Sequence, residues 1–149
     1  MRSDLPPIVA VARRLMLELE REVPRFPRRH RYSLGQDLRG NVLEAALLSH
    51  EAFRAVRDPQ RHAALVSDLV EAVDRLKLRL QLGQQLQVFV SFARFEEIIR
   101  IADDLGRQCG GLQRKIRQQH PNGQNPAASR RPERPETLST RAALIEAQR

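Results

Sequence analysis

A chain of 149 residues has room for one domain, which buries roughly two-thirds of the surface its unfolded form would expose. Its apolar fraction of 41% is ordinary, but aromatics supply only 4% and Trp is absent, so Leu, Val, Ile and Ala must fill the core, a palette that favours helices over strands. The net charge of +8, from 24 Arg and 2 Lys against 18 acids, points to a polyanionic partner, nucleic acid being the commonest, and the single cysteine excludes an internal disulfide.

Asp4, Pro6 and Pro7 can start a helix, because proline is tolerated in a first turn whose N–H groups have no intrahelical partner. Ile8, Ala12, Leu15, Leu19 and Val23 recur every three or four residues and predict one amphipathic helix that ends near Pro24. A connector from Arg21 to Arg31 follows. It carries Arg21, Arg25, Arg28, Arg29 and Arg31 against Glu22 alone, and Pro24 and Pro27 keep it from continuing the helix.

Ser33 with Gln36 reads as a capping box opening a second helix that runs to about Arg57. Its apolar set, Leu38, Val42, Leu43, Ala45, Ala46, Leu47, Leu48, Ala52, Phe53 and Val56, wraps more than half the circumference and predicts neighbours on several sides. Asp58 and Pro59 start a third helix with the stripe Leu65, Leu69, Val73, Leu76 and Leu80, closed by Gly83 after about Leu82.

Ser91 caps a fourth helix with the inward face Phe92, Phe95, Ile98, Ile99, Ala102, Leu105, Cys109, Leu112 and Ile116. Glu96 to Arg100 and Asp103 to Arg107 have the spacing of ion pairs on its outer face. From Gln118 the composition turns to Pro, Asn, Gln, Ser and Arg, too polar to offset the entropy of ordering. The expected architecture is therefore an all-α, antiparallel up-down four-helix bundle over residues 1–117, with a disordered basic C-terminal tail over 118–149. Within that tail, residues 138–148 have the makings of a short helix against a partner.

Chemistry needs an activated nucleophile, a paired acid and base, or a metal, and none of these is assembled in the sequence. His30, His50, His62 and His120 include no pair at i,i+4 and no accompanying thiols, so no metal or other cofactor is expected. Cys109 lies seven residues after Ala102 and seven before Ile116, on the inward stripe, where it reads as a small core residue. Gly106, Gly110 and Gly111 each cost a helix about 1 kcal/mol and predict close backbone packing or a helix end. No apolar run is long enough for a membrane span, and Arg2, Asp4 and two prolines stand where a signal peptide would be apolar, so a cytoplasmic protein without enzymatic activity is expected.

The arginines carry the functional signal. Arg25, Arg28, Arg29, His30 and Arg31 concentrate charge that can neutralise phosphates and release their counterions. Arg75 and Arg79, one turn apart beside the apolar stripe of the third helix, can pack their stems while their guanidinium groups reach outward. With few aromatics, binding is expected to be directed at the backbone and weakly sequence-specific.

Phe26-Pro27-Arg28-Arg29-His30 before a capped apolar helix, Asp68 through Arg75-Leu-Lys-Leu-Arg79 before Gly83, and Gly106-Arg107-Gln-Cys-Gly110-Gly111-Leu112 late in the fourth helix come in a telling order. Over about residues 8 to 117 the chain resembles the accessory variability determinant of diversity-generating retroelements. The resemblance implies a basic four-helix bundle, assembled as a homopentamer, that binds the element's reverse transcriptase and its template RNA or DNA during mutagenic retrohoming. It implies roles for Pro27 through His30 and for Arg75 and Arg79. Members often carry Trp after the glycine pair, where this chain has Leu112. The broader family includes proteins encoded in ribosomal-RNA intervening sequences, which leaves a structural, protein-binding oligomer as the alternative.

Overall fold

A computed structural model describes residues 6–119 of the chain. Pro7 occupies the first turn of α1 (Pro7–Glu22), whose buried side is Val9, Ala12, Leu15 and Leu19. The connector is more ordered than its prolines imply. Pro24 sits inside a 3-10 turn (Val23–Arg25), and Pro27 stands directly ahead of a single helical turn, α2 (Arg28–Arg31). Proline breaks a helix by lacking a donor and clashing backwards; at the start of a turn neither penalty applies, so Pro24 and Pro27 initiate here.

Three long helices complete the described chain: α3 (Leu34–Arg54), α4 (Pro59–Gln85) and α5 (Phe92–Gln119). Among the described residues each long helix packs on two others, α3 on α1 and α4, and α5 on α4 and α1, which makes a four-helix bundle. Leu15, Leu19, Leu38, Leu69, Leu76, Leu80, Ile98 and Leu105 are fully buried between them. Each such side chain contributes about 1.5–3 kcal/mol of transfer free energy.

Several local expectations are corrected. Ser33 makes no side-chain cap on α3; its hydroxyl instead donates back to the carbonyls of Arg29 and His30, 3.4 and 3.5 Å away, so the capping box is not formed. α3 stops at Arg54, and Leu43, Leu47, Phe53 and Val56 of its wide apolar set remain exposed. Gly83 does not end α4; it is buried inside the helix, where an added Cβ would lie 3.1 Å from both Phe89 and Val88.

The helix ends instead at Gln85, capped by Leu86, with Gln87 at φ 56°. The N–H of Val88 reaches the carbonyl of Gly83 and that of Gln87 reaches Gln84, both at 3.1 Å, a pair of bonds that satisfies two orphan carbonyls. Val88 and Phe89 then turn into the core.

Asp58 accepts from the Arg61 N–H and Ser91 from the Arg94 N–H, so the N-terminal caps of α4 and α5 form as expected. Phe92 is exposed and not inward-facing, while Leu112 and Ile116 are half-buried. On α5 the ion pairs also differ: Arg107 meets Asp104 and Asp103 meets Lys77 of α4, and among the described residues Glu96 and Arg100 are not joined. Gly106 faces the side chains of Lys77 and Val73, a Cβ at Gly110 would touch nothing within 4 Å, and the helix runs on past Gly111, so neither the close backbone packing nor the helix end expected of these glycines is found. α5 extends to Gln119, past the expected boundary at 117; the proposed tail from 120 onward, with His120 and residues 138–148, lies outside the described residues.

Candidate nucleic-acid interface

The basic connector is fixed to the bundle by Phe26. Its ring is 1% exposed and meets Phe89 edge-on, with centroids 5.3 Å apart. Gly35, in the first turn of α3, lets the connector sit close: a Cβ there would come within 2.7 Å of Val23 and 3.4 Å of the His30 carbonyl. Within α2, the N–H groups of His30 and Arg31 both bond to the Pro27 carbonyl, at 2.9 and 3.1 Å. The arginines of this segment therefore project from an anchored backbone.

Their surroundings divide them. Arg25, Arg28 and Arg29 are exposed, and among the described residues none of them forms an ion pair with a carboxylate. Their charge is left to solvent and to whatever polyanion approaches. Arg31 is half-buried and folds inward, donating from Nη2 to the Phe26 carbonyl at 3.3 Å, which makes it a brace of the turn. His30 is also half-buried.

Arg75 and Arg79 belong to another part of the surface. Arg79 donates to the side-chain oxygen of Asn41, roughly 10 Å along α3 from its first residue at 1.5 Å per residue. Arg75 is exposed but faces Glu71 at 3.4 Å, the contact of a weak surface pair. The seven residues expected to act together are thus three outward-facing arginines, two arginines with partners in hydrogen bonds, one half-buried histidine and one arginine beside an acid.

Sequence reading missed two features. Tyr32, directly after α2, is 72% exposed. Arg94 binds three carboxylates at once: Glu22 at 2.8 Å, Glu97 at 2.7 Å, and Glu18. The hydrogen bond from Arg94 holds the Glu18 carboxyl below its ordinary value against the opposing effect of burial, and its three partners raise the Arg94 guanidinium in turn. A pair joining α1 to α5 across the sequence has no local signal; the apolar run before Glu22 gave no hint that its carboxylate is buried.

Cys109 is buried and its thiol is pushed up to about 12, chiefly by burial and then by the nearby Asp74 charge. A protonated, enclosed thiol is a packing group. Among the described residues no cluster of three or more His, Cys, Asp or Glu side chains is placed to hold a metal, and no helix is long and apolar enough to cross a membrane. A shallow cleft of about 310 Å³ between α1 and α5 mixes Arg14 and Arg100 with Glu97 and Asp104 and so has no dominant charge. No protein-family model matches the chain, and no curated protein matches it.

Proposed function

We propose that this chain is a non-enzymatic, nucleic-acid-binding accessory subunit of a diversity-generating retroelement, which holds the reverse transcriptase and its template RNA or cDNA together. The observation that carries the reading is the anchored connector bearing Arg25, Arg28 and Arg29, which among the described residues have no acidic partners. Guanidinium groups on a fixed backbone lose little entropy when they meet phosphates, and each contact releases condensed counterions. The resemblance of the connector and of the α4 and α5 motifs to accessory variability determinants supplies the reverse transcriptase and the pentameric state, and the single cysteine, suited to a reducing compartment, supports a cytoplasmic setting.

An antiparallel up-down course is part of this proposal. Glu20 pairs with Arg39 and Val23 packs at Gly35, Asn41 meets Arg79 and Leu34 packs at Gly83, and Glu22 meets Arg94. These pairings support neighbouring helices of opposite direction. Homo-oligomerisation is supported by Gly40, Leu43 and Leu47, which follow one another at helical spacing on the open side of α3. The same exposed leucines favour the alternative, a structural bundle of the ribosomal-RNA intervening-sequence type that binds protein and leaves nucleic acid alone.

The two readings separate in a binding assay with labelled RNA at low ionic strength. Charge reversal at Arg28 and Arg29 is expected to abolish most binding while the Arg75 and Arg79 pair weakens it less, since those two already have partners. A wild-type chain with no salt-sensitive RNA affinity, whose self-association is lost on changing Leu47 to a charged residue, would favour the protein-binding alternative.

A further inference from the structure

Tyr32 is the most exposed of the large apolar side chains among the described residues, and it is not a stray surface residue on a mobile segment. It follows the last residue of α2 with φ −97° and ψ 0°, on a turn pinned by the Pro27 carbonyl and by Ser33 bonding back to Arg29. It stands four positions after Arg28, at the end of the single helical turn that Arg28 begins. A planar ring open to solvent thus closes the same turn that carries Arg28 and Arg29, both exposed and, among the described residues, without a carboxylate partner.

We infer that Tyr32 and Arg28 form a seat selective for single-stranded nucleic acid, in which an unpaired base stacks on the tyrosine ring while Arg28 and Arg29 hold the flanking phosphates. The inference rests on the nucleic-acid reading of the connector and adds the form of ligand it takes. In a duplex the faces of the bases are covered by their neighbours, so an exposed ring has nothing to stack on; in a single strand every base offers a face. Arginines alone grip either form through the backbone. Selectivity therefore resides in the ring.

The composition makes the test direct. Tyr32 is the chain's single tyrosine and Trp is absent, so intrinsic fluorescence of the full-length protein reports on this ring alone. The protein is titrated at low salt with short oligo-uridine, oligo-thymidine and a duplex RNA, following both tyrosine emission and the anisotropy of labelled strands. Stacking predicts strong quenching by single strands and little by duplex. Tyr32→Ala should weaken single-strand binding about tenfold with duplex affinity unchanged, and Tyr32→Phe should restore it. Quenching by one single strand and not the other supports the seat and assigns it to RNA or to DNA.

Single-strand binding with neither quenching nor sensitivity to Tyr32→Ala overturns the seat and leaves the arginine reading standing. Absence of binding to any strand by the wild-type chain overturns both. Emission that changes on diluting the protein alone, and is indifferent to added strands, overturns the seat by showing that another protein surface covers the ring.

Discussion

The carboxylate of Glu22, with no solvent exposure, accepts a 2.8 Å hydrogen bond from Nε of Arg94, tying the last turn of α1 to the first turn of α5. The 3-10 turn that leads into the rest of the connector begins at the next residue, so this bond fixes where the chain leaves α1.

Arg94→Met keeps most of the side-chain volume and strands the Glu22 charge in the interior. A loss of about 3–5 kcal/mol in urea denaturation is expected, because a buried charge without its partner costs far more than the pair contributes. Replacing Glu22 with Leu in the same protein should recover much of it. The pH dependence follows from Glu18, whose carboxyl is lowered from 4.5 mainly by Arg94. A folded-state value below the unfolded one stabilises the protein above pH 4.5, and that contribution is lost as pH falls through the folded value. The Arg94→Met protein should lose part of this acid sensitivity, and an unchanged acid limb would mean that other carboxylates govern it.

Backbone geometry near the connector gives a pair of opposite effects. Gly35→Ala would place a methyl group 2.7 Å from Val23, and its cost is expected at about 1–3 kcal/mol, with the connector displaced. Gln87→Gly should act the other way. Gln87 stands at φ 56°, where a side chain is strained by about 1–2 kcal/mol, and glycine relieves this while adding freedom to the unfolded chain. A net gain of about 0.5–1 kcal/mol in thermal or urea melts is the expected result.

Cys109 should be inert in the folded protein. Its thiol is pushed up to about 12 by burial, so at neutral and mildly alkaline pH it carries its proton. Reaction with a disulfide exchange reagent should proceed only as fast as the bundle opens and become rapid in denaturant. Fast labelling in native buffer would contradict the enclosed position on α5.

Apolar periodicity made the four long helices legible, since Leu15 and Leu19, Leu38 and Val42, Leu69 and Leu76, and Ile98 and Leu105 repeat at the spacing of one helix face and all are buried. The segment from Leu86 to Ser91 was opaque for a complementary reason: Val88 and Phe89 enter the core from a loop, where no period marks them. Pro24 and Pro27 were read by their most familiar effect, and the turns they start were missed. For the interface, sequence density identified the arginines but could not separate Arg28 and Arg29, which face solvent, from Arg31 and Arg79, which fold onto a carbonyl and an amide. That division depends on which way a side chain turns after the backbone is placed.

The central claim is that Arg25, Arg28 and Arg29 meet phosphates as a fixed group, and the slope of binding against salt measures this most directly. Affinity for a single-stranded RNA is determined across a range of salt concentrations for the wild type and for a variant with all three arginines changed to Gln. Each lost phosphate contact lowers the logarithmic slope by about 0.7 on single strands, so the variant should be shallower by about 2. Parallel lines for the two proteins, whatever their separation in affinity, would contradict the account.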